Sequence, residues 1–66
     1  MQIQVNGDII DVADDMTLGA LLAQMDLGER RVAIELNLEI IPRSQHAETQ
    51  LSANDRVEIV HAIGGG

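Results

Sequence analysis

Met1-Gln2-Ile3-Gln4-Val5-Asn6-Gly7-Asp8-Ile9-Ile10-Asp11-Val12 opens the chain, and the Asn-Gly step at its centre decides the fold. Asn-Gly between two alternating apolar runs is a strong signal for a tight hairpin, because both central residues of that turn take positive φ. Such a turn pairs Val5 with Asp8, Ile3 with Ile10, and Met1 with Val12. Side chains alternate across a strand, so Met1, Ile3, Val5, Ile10 and Val12 share one face. Ile9 falls on the other face beside Gln4. The apolar face requires a cover.

The cover follows directly. Leu18, Leu21, Leu22 and Met25 form one stripe of a helix, with Met25 read as core filler. Thr17 is placed to cap the helix, and Asp14 and Asp15 put negative charge near its positive end. Gly19 weakens the first turn, and Gly28 is read as the stop signal. A helix this short does not persist alone in water, so packing on the sheet must hold it.

Alternation returns at Val32, Ile34, Leu36, Leu38 and Ile40. A single strand of that length is unusual in so small a domain, which favours two strands broken at Asn37-Leu38. Pro42 ends the run, and residues 43–50 read as a polar loop or short helical turn. Leu51 anchors that loop, Asn54-Asp55 turns, and Arg56 to Ile63 is the last strand, with Val57 and Ile59 on one face. If this strand lies beside the first, the crossover makes the two parallel. The expected architecture is therefore α+β: one mixed sheet packed on one helix, a domain over residues 1–63 and a glycine tail over 64–66.

Sixty-six residues make one domain near the lower limit for a core without a staple. There is no cysteine and no aromatic residue, so the core is aliphatic and no ring is available for a nucleic-acid base to stack on. The net charge of −7 repels nucleic acid and anionic membrane alike. It also permits electrostatic steering onto a basic partner surface. The first residues resemble no signal peptide and no stretch approaches membrane-spanning length, so a soluble cytoplasmic protein, monomeric when free, is expected.

Gly64-Gly65-Gly66 follow the last strand. Three residues without Cβ make a tail slim enough for a narrow enzyme channel, with the Gly66 α-carboxyl as its last group. Glycine-rich ends are also common as loose termini, so the glycines alone do not decide. Val60, Ala62 and Ile63 form an apolar approach to the tail. That approach is either a docking patch or an ordinary piece of strand. The chain shows no catalytic machinery of its own. Ser44, His46 and Glu48 share a loop without a rigid supporting shell, and His46 and His61 lack metal-ligand spacing. The glycines have no helix behind them to receive a phosphate.

Several features then coincide: the Asn6-Gly7 hairpin, Thr17-Leu18 opening a Leu-Leu helix, and Val32-Ala33-Ile34-Glu35-Leu36-Asn37. Glu39-Ile40-Ile41-Pro42-Arg43-Ser44, Asp55-Arg56-Val57-Glu58-Ile59-Val60-His61 and the closing glycines complete the set. In order and size, over essentially the whole chain, this resembles the bacterial thiamine-biosynthesis sulfur carrier family, whose fold is the ubiquitin-like β-grasp. Asn37-Leu38 stands where that family often has Asn-Gly.

The resemblance implies a carrier rather than an enzyme. An E1-like activating enzyme adenylates the Gly66 carboxyl with ATP. A persulfide sulfur, supplied through a donor such as a cysteine desulfurase, converts it to a thiocarboxylate. Thiazole synthase takes the sulfur. Gly64, Gly65 and Gly66, with Ile63, Ala62 and Val60, are then the partner-binding residues, and no cofactor or metal is bound by the chain itself. The small subunit of molybdopterin synthase, a ubiquitin-like modifier and a plain interaction module are the competing readings. The first family tends to be longer, with aromatic core residues.

Overall fold

Strands β1 (Gln2–Val5) and β2 (Asp8–Asp11) form the expected hairpin, with Val5 opposite Asp8 and Ile3 opposite Ile10. Asn6 has φ 49° and Gly7 φ 91°, the two positive values that a type I′ turn needs. The ladder continues past the strand ends, where the Val12 amide donates to the Met1 carbonyl at 2.8 Å. These features come from a computed structural model that describes residues 1–28 and 30–61.

Helix α1 (Leu18–Gln24) crosses next. Its first four amides all have acceptors, the usual difficulty of a helix start. Leu18 donates to the Thr49 carbonyl and Gly19 to the His46 carbonyl, both at 2.9 Å. Ala20 donates to the Thr17 hydroxyl at 3.1 Å and Leu21 to the Thr17 carbonyl at 2.9 Å. Thr17 is thus the cap that its position in the sequence indicates. The Asp14 carboxylate lies 3.0 Å from the Met1 ammonium, and no acidic residue falls within the first turn of α1 itself.

Two expectations about the helix end need correction. Gly28 is not the stop. Asp26 takes φ 61°, its amide returns to Ala23 at 3.1 Å, and the Leu27 amide reaches the Leu22 carbonyl at 2.7 Å. This is a Schellman closure with aspartate in the left-handed position that glycine usually fills. Closing there swings Met25 out of the stripe, so it is exposed rather than core, and Leu27 packs on the core in its place.

Strands β3 (Val32–Leu36) and β4 (Glu39–Ile41) are separated by the break at Asn37-Leu38, both residues at positive φ (52° and 73°). A 3₁₀ turn (Arg43–Gln45) follows Pro42, and Leu51 is buried as expected. Strand β5 (Arg56–His61) completes one sheet of order β2-β1-β5-β3-β4. It runs parallel to β1 and antiparallel to β3, so the last strand lies at the centre.

Ile3, Val5, Val12, Leu18, Leu21, Leu22, Ile34, Leu51, Val57 and Ile59 make a single aliphatic core between helix and sheet. Each fully buried Leu, Ile or Val contributes about 1.5–3 kcal/mol, so the set is enough to hold a short helix on the sheet. The opposite sheet face has no layer over it among the described residues. Ile9, Ile40 and Val60 project from it, 66%, 73% and 59% exposed.

Candidate functional site: the strand that leads to the glycines

Val57 and Ile59 anchor β5 in the core, while Arg56, Glu58 and Val60 alternate onto the open face. Both hairpin asparagines turn their side chains onto this strand. At its start, the Asn37 amide group donates to the Asp55 carboxylate at 3.0 Å, and its Oδ1 accepts from the Arg56 amide at 2.9 Å. The Asn37 backbone amide meets the Arg56 carbonyl at 2.8 Å. The other Asp55 oxygen accepts from the Ser52 amide at 2.7 Å, closing the turn that feeds the strand. Further along, Asn6 Oδ1 accepts from the Ile59 amide at 2.7 Å and Asn6 Nδ2 donates to the Ile59 carbonyl at 3.2 Å.

Sequence reasoning assigned both asparagines to turns and missed these second roles. The available signal was the residue type itself, since a primary amide, like a peptide unit, offers a donor and an acceptor on neighbouring atoms.

Of the expected site residues, Val60 is on the open face, opposite Ala33 of β3. Ile40 of β4 lies diagonal to Ala33, because it stands opposite Glu35 two positions along the same strand. Apolar surface therefore runs from the tail-proximal end of β5 toward the sheet edge. Glu35 and Glu58, opposite one another, lie beside it. Ala62, Ile63, Gly64, Gly65 and Gly66 lie outside the described residues.

The loop that holds Ser44 and His46 is built as structure. His46 is buried, and its Nε2 lies 2.9 Å from the Ile41 carbonyl. A carbonyl only accepts, so this nitrogen carries the proton and donates it. The His46 carbonyl caps α1, and Ser44 faces solvent. His61 is exposed at the end of β5, on a different element from His46. Among the described residues no three His, Cys, Asp or Glu side chains are grouped to hold a metal, and no helix is long and apolar enough to cross a membrane.

A mixed five-stranded sheet with its last strand central and parallel to its first, and one helix packed on one face, defines a ubiquitin-like β-grasp domain. The model of the ThiS family matches residues 2–66, and the chain belongs to that family. It is 40% identical over 65 residues to the sulfur carrier protein ThiS of Bacillus subtilis, covering 97% of this chain and 98% of that one. It is also 41% identical over all 66 residues to a thiazole synthase of Paramagnetospirillum magneticum, of whose length it spans only 20%. The crystal structure of the thiamine biosynthesis protein ThiS from Geobacter metallireducens superposes with a TM-score of 0.87 at 30% identity, covering both chains completely.

Proposed function

We propose that this chain is a sulfur carrier for thiazole assembly in thiamine biosynthesis, with the Gly66 carboxyl as the group that is loaded. The end-to-end match to a sulfur carrier of the same length carries the reading. The match to one-fifth of a thiazole synthase supports that enzyme class as the partner, since a homologous segment there belongs to the same polypeptide.

The chemistry follows from the inertness of a carboxylate. An oxygen of the Gly66 carboxylate attacks the α-phosphorus of ATP on an E1-like activating enzyme, and pyrophosphate leaves. The terminal sulfur of a persulfide, charged through a donor such as a cysteine desulfurase, then attacks the acyl-adenylate carbonyl and expels AMP. A thiol cleaves the resulting acyl disulfide, which leaves a thiocarboxylate on Gly66 and a disulfide on the donor side. Transfer of that sulfur to the thiazole precursor regenerates the carrier. Catalytic groups, ATP and sulfur all come from partners; the chain contributes the acyl group and its delivery.

Delivery rests on two features. Glycine at positions 64–66 removes every Cβ from the part that enters an active site. The open sheet face around Val60, Ala33 and Ile40 supplies apolar contact, and the neighbouring Glu35 and Glu58 favour a basic surface on the partner.

The test is one residue added after Gly66. The extended chain is expected to fold like the wild type and to support no thiazole formation in a reconstituted system. Undiminished activity of the extended chain would sink the carrier reading and leave an interaction module.

A further inference from the structure

We infer that Asn6, sixty positions before Gly66 in the sequence, is a positioning residue for the tail: its side-chain amide serves as one additional rung of β1 and keeps β5 aligned beyond the point where β1 turns away. The inference rests on the carrier reading for its functional consequence, and on geometry alone for the clamp.

The parallel pairing of β1 with β5 covers only Gln4 with Arg56 and Val5 with Val57. It stops there because the chain reverses at Asn6-Gly7 to begin β2. The last main-chain contact is the Asn6 amide donating to the Val57 carbonyl at 2.9 Å. In a parallel ladder the groups facing one neighbour come from alternate residues, so the next pair on that side belongs to Ile59. No backbone of β1 remains to meet it.

Asn6 fills the vacancy with its side chain, Oδ1 taking the Ile59 amide at 2.7 Å and Nδ2 reaching the Ile59 carbonyl at 3.2 Å. A primary amide carries the same donor and acceptor as a peptide unit, so the ladder gains one step without any added chain. On its other side β5 pairs with β3 as far as Val32 opposite His61. Among the described residues from Ile59 to His61, hydrogen bonding on the β1 side therefore depends on this one amide.

The turn alone does not require asparagine. Glycine or aspartate at the first central position satisfies a type I′ turn equally well. Glycine has no side chain to reach β5. Aspartate keeps the acceptor for the Ile59 amide but sets a second oxygen against the Ile59 carbonyl. Only asparagine combines positive φ with a donor and an acceptor at this reach. Gly66 lies five positions past His61, so the direction of β5 sets where the tail begins its path.

A strand that frays in the free carrier must be reordered when the partner binds, and a fractionally populated competent state lowers apparent affinity by that fraction. The experiment uses the full chain with Asn6→Gly and Asn6→Asp. It measures KM and kcat for ATP-dependent pyrophosphate release by the activating enzyme, at a temperature where all variants are folded. Asn6→Gly is expected to raise KM for the carrier with kcat unchanged, by at most about fivefold, the factor by which loss of one such hydrogen-bonded pair shifts the fraying equilibrium. Asn6→Asp should fall between it and the wild type. Amide exchange at Ile59, whose N–H the Asn6 Oδ1 accepts, and at Val60 should accelerate by a similar factor while β2 and β4 stay as protected as before. An unchanged KM in folded Asn6→Gly would overturn the positioning role. If the wild-type chain is not adenylated, the carrier reading fails instead. The exchange pattern then decides the clamp by itself, and unaltered protection at Ile59 and Val60 in Asn6→Gly would overturn it.

Discussion

Glu35 on β3 and Glu58 on β5 stand directly opposite each other in the sheet, two carboxylates paired where an opposite charge would stabilise. Opposite charges in such positions contribute about 0.2–1 kcal/mol and like charges are destabilising, and among the described residues no cation is bridged to either carboxylate. The account predicts that Glu35→Gln raises folding stability by a few tenths of a kcal/mol, roughly the low end of that range. Urea denaturation at low salt measures it, and added salt should shrink the gain by screening the wild-type repulsion. A loss of stability in Glu35→Gln would show that the pair is held by something other than simple opposition.

Leu38 sits at φ 73° with three-quarters of its surface exposed, so it bears left-handed strain without burial to offset it. That conformation costs a non-glycine residue roughly 1–2 kcal/mol, part of which glycine returns through its freer unfolded chain. Leu38→Gly should therefore stabilise the domain by about 0.5 kcal/mol, seen as a higher urea midpoint at constant slope. A lower midpoint would mean that the leucine side chain contributes packing to the native fold.

Gly19 interrupts a leucine-rich helix, and helix propensity alone favours alanine there by roughly 1 kcal/mol. The structure argues the other way. A Cβ at position 19 would lie 3.1 Å from the Cα of Ala47, in the segment whose His46 carbonyl caps the Gly19 amide. Backbone cannot rotate aside as a side chain can. Gly19→Ala is predicted to destabilise by about 1 kcal/mol despite its better propensity, by the usual penalty of overpacking. Thermal unfolding decides between the two effects, and a raised Tm would show that the loop yields.

Val60 is the residue at which the proposed docking use of the open face can be tested. It is mostly exposed, so Val60→Asp should change stability by under about 1 kcal/mol, the span of strand propensity. If partners dock there, the same change should raise KM for activation roughly tenfold, as loss of an apolar anchor does. A variant with wild-type KM would move the docking surface elsewhere.

How far the sequence alone carries can be read from particular residues. Asn6-Gly7 specified the first hairpin and its register, because its turn chemistry is almost unique. The break at Asn37-Leu38 was inferred from strand length and the tolerance of asparagine for positive φ, and the structure has it there. The helix end was misplaced because Asp26 adopts a conformation that nothing in its local sequence demands, and Met25 was misread with it. The burial of His46 depends on a carbonyl five positions away and a helix docked from elsewhere, which no local pattern encodes. The two asparagine clamps were invisible for a similar reason. Sequence shows that an amide is present, and only the fold shows that β5 passes within its reach.

Gly66 as the loaded residue is the central claim, and intact mass tests it most directly. The chain is incubated with ATP, an activating enzyme and a persulfide donor, beside a chain lacking Gly66. The account predicts a mass gain equal to one oxygen-to-sulfur exchange in the full chain and none in the truncated one. No gain in the full chain, with an enzyme proven on another carrier of this family, would contradict it.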